Sequence, residues 1–91
     1  MLEATVRVTN TLGLHARAAA RLVRLAVTFS SSVKIRRKDN DSEANAKDIL
    51  SVLSIAASFG VVLQFIADGA DESDAIEQIK QLFADNFGED K

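Results

Sequence analysis

Apolar and polar residues alternate from the first positions of the chain. Leu2, Ala4, Val6 and Val8 fall on one side and Glu3, Thr5, Arg7 and Thr9 on the other, the period of a half-buried strand with one wet face. After the turn residues Asn10, Thr11 and Gly13 the period changes. From Ala16 to Phe29, Ala19, Leu22, Val23, Ala26 and Phe29 recur at helical spacing, while Arg17, Arg21 and Arg24 form a separate stripe. Ser30 to Ser32 end that pattern, and Val33 and Ile35 alternate with Lys34 and Arg36 as a second strand.

Asp39, Asn40 and Asp41 have the composition of a hairpin turn, which predicts a short third strand over Ser42 to Asn45 with Ala44 buried. A second helix is expected over Asp48 to Ser58, with an acid at its amino end and Gly60 near its carboxyl end. Val61 to Ala67 then reads as the last strand, with Val61, Leu63, Phe65 and Ala67 inward. Gly69 turns the chain, Asp71 is expected to cap and Asp74 to complete a capping box. A third helix would run to about Asn86 on Ala75, Ile76, Ile79, Leu82 and Phe83.

The order βαββαβα has no internal repeat or linker, so residues 1–91 are expected to form a single α+β domain. Helices should cover one face of the sheet. The other face must stay in water, because Glu3, Thr5, Arg7, Lys34 and Arg36 would be costly to bury.

Composition narrows the chemistry. There is no cysteine, which removes disulfides, thiol nucleophiles and thiolate metal sites. No apolar run nears the ~20 residues that cross a bilayer, and no secretory leader pattern opens the chain, so the expected setting is cytoplasmic, without membrane insertion. Charge is uneven: residues 1–47 hold nine Lys and Arg against four acids, a net of +5, and residues 48–91 carry −7. A basic first half suits an anionic ligand or an acidic protein partner.

The one histidine, His15, stands immediately before the first helix and two residues after Gly13. Triads and zinc sites need more partners, so no metal or cofactor is expected. The position does offer a neutral imidazole nucleophile beside a helix amino terminus, where unpaired amides and the helix dipole favour an anion such as phosphate. Arg17 adds a planar cation suited to phosphate oxygens. Spacing alone favours the plainer reading, a capping histidine and a solvated arginine, since lone histidines at helix starts are common.

The local string shifts that balance. Thr9 Asn10 Thr11 Leu12 Gly13 Leu14 His15 Ala16 Arg17 Ala18 Ala19 closely resembles the active-site segment of the HPr family, the histidine-containing phosphocarriers of the bacterial phosphotransferase system. The likeness extends through Ile49, Leu50 and Leu53, the glycine before the last strand, and the turn Ala67 Asp68 Gly69 Ala70 Asp71 Glu72. It implies an open-faced β-sandwich in which a four-stranded antiparallel sheet carries three helices on one face. It also implies a stoichiometric carrier rather than an enzyme, taking a phosphoryl group from phosphorylated enzyme I, itself charged by phosphoenolpyruvate, and passing it to an enzyme IIA domain.

Carried over by residue, the resemblance makes His15 the phosphorylated group, through the ring nitrogen nearer the backbone, with Arg17 its charge partner. Backbone amides of Ala16 and Arg17 would face the phosphoryl oxygens. Ala16, Arg17, Ala20, Arg21 and Arg24 share or border the exposed stripe of the first helix, and the resemblance adds Ile49, Leu50 and Leu53 as a partner-binding surface with an apolar centre and an arginine rim. The expected state is a monomer.

Two positions depart from the family pattern. Ala18 stands where most members have proline, and Asp48 falls where many Gram-positive members carry a regulatory serine, so serine phosphorylation is not expected there. The chain is also similar to NPr-type carriers of the nitrogen-related branch, in Thr9 Asn10, in Glu43 Ala44 and in its acidic carboxyl end. A role in binding RNA on the open sheet is disfavoured, since the chain has no Trp or Tyr and Phe65 is expected inward.

Overall fold

The computed structural model describes residues 1–89. Its elements run β1 (Leu2–Arg7), α1 (Ala16–Ala26), β2 (Ser32–Arg37), β3 (Glu43–Asn45), α2 (Ile49–Ser54), β4 (Val62–Asp68) and α3 (Glu72–Ala84), followed by a 3₁₀ turn over Asn86–Gly88. The four strands form one antiparallel sheet in the order β1-β4-β2-β3. This is the expected open-faced sandwich.

Pleat and register select what is buried. β4 lies between β1 and β2, and its pairing sets Ala4 and Ile35 on either side of Phe65 and Val6 beside Leu63. Leu63, Phe65, Ala67 and Ile35 are fully buried, and Leu22 and Ala26 of α1 with Ile79 and Phe83 of α3 close over them. Phe65 and Phe83 meet edge to face with centroids 5.3 Å apart, and Phe83 meets Phe87 the same way at 4.7 Å. On the opposite face Glu3, Thr5, Arg7 and Lys34 are exposed, as the alternation requires. Phe65 is inside, which leaves the strands without an aromatic platform.

Two expectations needed correction. The second helix ends at Ser54 rather than Ser58, because Ala56 takes a left-handed φ of 51° and turns the chain. The Arg37 guanidinium donates to the freed carbonyls of Ile55 and Ala56 at 2.9 and 3.1 Å, replacing bonds the helix would otherwise have made.

The start of α3 is also built differently. Asp71 makes no side-chain cap bond to its helix. Its carboxylate accepts from the Ser30 and Ser31 amides, both at 2.9 Å, and from the Ser31 hydroxyl at 2.5 Å, tying α3 to the start of β2. Glu72 closes the turn instead, accepting from the Gly69 amide at 3.1 Å.

Candidate functional site

The segment joining β1 to α1 is tied by backbone hydrogen bonds to the stretch between α2 and β4. Val8 and Val61 pair N–H to C=O at 2.9 Å, Gly60 donates to Val8 at 2.8 Å, and Leu14 donates to Ala57 at 2.8 Å. Gly13 is required at its place: φ is +70°, and a Cβ there would stand 2.8 Å from the Ala57 carbonyl oxygen and the Ser58 Cα. Leu14 is buried, so the next residue is delivered to the surface at a fixed point.

That residue is His15, the N-cap of α1. Its carbonyl accepts the first helical bond, from Ala19 at 2.8 Å, and its Nδ1 accepts from the Arg17 backbone N–H at 3.3 Å. The imidazole is about 25% exposed, enough for a partner to reach its edge. Nδ1 therefore faces the amino end of the helix, where the dipole and the unpaired amides favour negative charge.

A side chain from far along the sequence completes the site. Glu89 places Oε2 2.6 Å from His15 Nε2, and Arg17 Nε approaches the same oxygen at 3.4 Å. Asn10 Nδ2 donates to the other carboxylate oxygen at 3.1 Å and to the Gly13 carbonyl at 2.7 Å. Both acceptors require the Asn10 amino group, so this amide orientation is the one that fits. The Glu89 side chain is only 8% exposed. Burial alone would raise its carboxyl, but hydrogen bonds from His15 and Asn10, the charge of the His15 ring when it is protonated and the Arg17 N–H hold it below the ordinary carboxylate range.

Glu89 reaches the ring through an unusual backbone. Asn86, Phe87 and Gly88 all lie at left-handed φ, 52°, 58° and 74°, which costs on the order of 1–3 kcal/mol for each non-glycine residue. Burial of the Phe87 ring opposes that cost by roughly 1.5–3 kcal/mol. Arg21 donates to the Phe87 carbonyl, and Thr9 donates to Asn86 Oδ1 at 2.6 Å. Neither Glu89 nor the part played by Asn10 was read from the sequence. An acid beside a glycine after a helix is ordinary surface composition, and nothing local pairs residue 89 with residue 15.

The other candidate residues divide by place. Arg17 is 62% exposed with its Nε beside the Glu89 carboxylate, and Ala16 and Arg24 are exposed. Ala20 is half-buried, and so is Arg21, whose hold on Phe87 leaves less of it to a partner than the helical stripe suggested. Leu50 is 76% and Ile49 36% exposed, whereas Leu53 packs partly against the core. Asp48 caps α2, accepting from the Leu50 and Ser51 amides at 3.1 and 3.4 Å. Beside His15, a cleft of about 360 Å³ is lined by Thr11, Leu12, Arg17, Arg21, Gly88 and Glu89.

The model for the PTS HPr component phosphorylation site matches residues 2–85. The chain belongs to the HPr family. It is 44% identical over 90 residues to the phosphocarrier protein HPr of Xylella fastidiosa (strain Temecula1 / ATCC 700964), covering 99% of each chain. It is 34% identical to the phosphocarrier protein NPr of Escherichia coli (strain K12), covering 98% of each. The crystal structure of HPr-C-His from Thermoanaerobacter tengcongensis superposes with a TM-score of 0.94 at 37% identity over the whole of both chains. An HPr phosphocarrier of the phosphotransferase system is thus a chain of this size, fold and active-site segment, and among the described residues no helix is long and apolar enough to cross a membrane.

Proposed function

We propose that His15 accepts a phosphoryl group on Nδ1 from phosphorylated enzyme I and passes it to an enzyme IIA domain, the protein acting in the cytoplasm as a monomeric, stoichiometric carrier. The observation that carries this reading is the direction of the ring: Nδ1 faces the Arg17 amide at the open end of α1, and the Arg17 side chain reaches the Glu89 carboxylate next to the ring. A phosphoryl group on Nδ1 would meet the Ala16 and Arg17 amides and the positive end of the helix. Arg17 supplies a planar donor set for its oxygens. This grip is of neutral amides and one mobile cation, so the group is held without being trapped.

Docking is assigned to the surface around the ring: Ala16, Ala20, Arg21 and Arg24 from α1, with Ile49, Leu50 and Leu53 from α2. Leu50 is the most exposed of these apolar groups and forms the centre, with arginines at the rim. Asp48 holds the amino end of α2 as its cap and offers no hydroxyl for a serine kinase.

The test is mass spectrometry after mixing the chain with enzyme I and phosphoenolpyruvate. An acid-labile adduct on His15, absent from His15→Ala, is expected; the same adduct on His15→Ala removes the assignment. Offering the charged protein to sugar-type and nitrogen-type acceptors separates an HPr role from an NPr role.

A further inference from the structure

A neutral imidazole has one lone pair and one N–H, and its neighbours decide which nitrogen carries which. Around His15 the two neighbours agree. The Arg17 amide donates toward Nδ1, which calls for the lone pair there, and the Glu89 carboxylate beside Nε2 calls for the N–H there. We propose that Glu89 is a positioning residue for phosphoryl transfer: it holds His15 in the Nε2–H tautomer with the Nδ1 lone pair aimed at the amino end of α1, and it balances the positive charge the ring acquires when Nδ1 bonds phosphorus. The proposal rests on the reading of His15 as the phosphoryl acceptor.

The contact is built into the fold. Three successive left-handed residues turn the chain after α3 back toward α1, and each is held: Asn86 by Thr9, Phe87 by the core and by Arg21, and Gly88 by its bond to Asp85 at 2.9 Å. Glu89 then has both carboxylate oxygens engaged, Oε1 by Asn10 and Oε2 by His15 and Arg17. Asn10 is itself buried and fixed to the Gly13 carbonyl, so the turn that presents His15 also grips the acid that orients it. A carboxylate held in place and pointed at one ring nitrogen, so that the other keeps its lone pair for reaction, is the arrangement that fixes imidazole tautomers elsewhere in protein chemistry.

The step balances without a proton leaving the ring. The Nδ1 lone pair forms the new N–P bond, the bond from phosphorus to the donor's leaving atom breaks, and its electron pair stays with that atom, the nitrogen in the case of a phosphoramidate. Nε2 keeps its proton and donates it to Glu89 throughout. The ring's gain of positive charge is met by a carboxylate already in position, which needs no reorganisation at the moment of transfer. The same carboxylate covers Nε2, which directs attack to Nδ1. Arg17 Nε, bonded only loosely to Glu89 at 3.4 Å, can exchange that contact for a phosphoryl oxygen.

The experiment uses the full chain with two variants, Glu89→Ala and Glu89→Gln, and phosphoramidate, a small donor that phosphorylates imidazoles and releases ammonia, so that partner docking plays no part. Charging of His15 is followed by mass spectrometry, and the ring is read by ¹⁵N and ¹H spectroscopy at a pH where it is neutral. In the parent, a single Nε2–H tautomer with a hydrogen-bonded, exchange-protected proton is expected. Glu89→Ala should lose that proton signal and charge about tenfold more slowly, and Glu89→Gln, which keeps an acceptor oxygen without the charge, should fall between. Charging of Glu89→Ala at the parent rate or faster overturns the proposal and leaves His15 as the acceptor. Slower charging with the parent's Nε2–H signal intact overturns it too, since the loss would then arise elsewhere. If the parent itself takes no phosphoryl group on His15, the acceptor reading falls and this inference falls with it.

Discussion

His15 Nε2 and Glu89 Oε2 lie 2.6 Å apart although 74 positions separate them in the chain. The contact leaves Nδ1 as the nitrogen available at the helix end, and it brings a negative charge beside the Arg17 guanidinium. The chemistry of the site is therefore set by two loops and a helix start.

Arg17 is the first member of that set to test. Its side chain is mostly in solvent, so Arg17→Ala should leave the melting temperature nearly unchanged. Loss of a charged hydrogen-bond donor to the phosphoryl oxygens should slow transfer roughly 10- to 100-fold, with Arg17→Lys recovering part of it. Steady-state rates from phosphorylated enzyme I, beside thermal melts, check both halves.

Gly13 governs where the ring stands. At φ +70° with the Ala57 carbonyl oxygen 2.8 Å from a Cβ, Gly13→Ala should destabilise the fold by at least about 1 kcal/mol from the backbone angle alone, and by more once the Ala57–Ser58 backbone has to shift. Urea unfolding measures the loss. The variant should also transfer phosphate more slowly than its residual folded fraction explains, because the loop carries His15.

Asp71 supplies a pH dependence remote from the site. The Ser31 hydroxyl, then the Ser30 and Ser31 amides, hold its carboxyl well below the ordinary carboxylate range. A carboxyl depressed in the folded state stabilises above its unfolded pKa of about 3.9, and the benefit is lost as pH falls through the lower folded value. Asp71→Asn should melt lower at pH 7, and the gap from the parent should narrow below about pH 4. Melting curves between pH 2 and 7 show whether it does.

Leu50 tests the docking surface. At 76% exposure its replacement by Asp should shift stability by no more than about 0.5 kcal/mol, while KM for the partner rises about tenfold through loss of an apolar anchor. An unchanged KM would move the interface away from α2.

Most of the fold is written in local pattern. The alternation through Leu63, Phe65 and Ala67 and the helical spacing of Leu22, Ala26, Ile79 and Phe83 named the core, because burial on one face imposes those periods. The places of His15 at the cap of α1 and of Arg17 in its first turn were legible because the turn, the cap and the helix start are contiguous. Three features were not. Ala56 ends α2 in a conformation alanine seldom adopts, and it does so because Arg37 and Leu14 claim the carbonyls of residues 55–57. Asp71 has the sequence of a cap but spends its oxygens on Ser30 and Ser31, which only the folded sheet brings near. Glu89 reaches the imidazole through a left-handed turn that depends on Phe87 finding the core, a tertiary cause with no local trace.

One spectrum reads directly which ring nitrogen of His15 takes the phosphoryl group. Protein carrying ¹⁵N-labelled histidine, charged by enzyme I and phosphoenolpyruvate, should show one-bond phosphorus coupling at Nδ1 of His15 and none at Nε2. Coupling at Nε2, or a phosphoryl group that is stable while the His15 nitrogens show no coupling at all, would contradict the account.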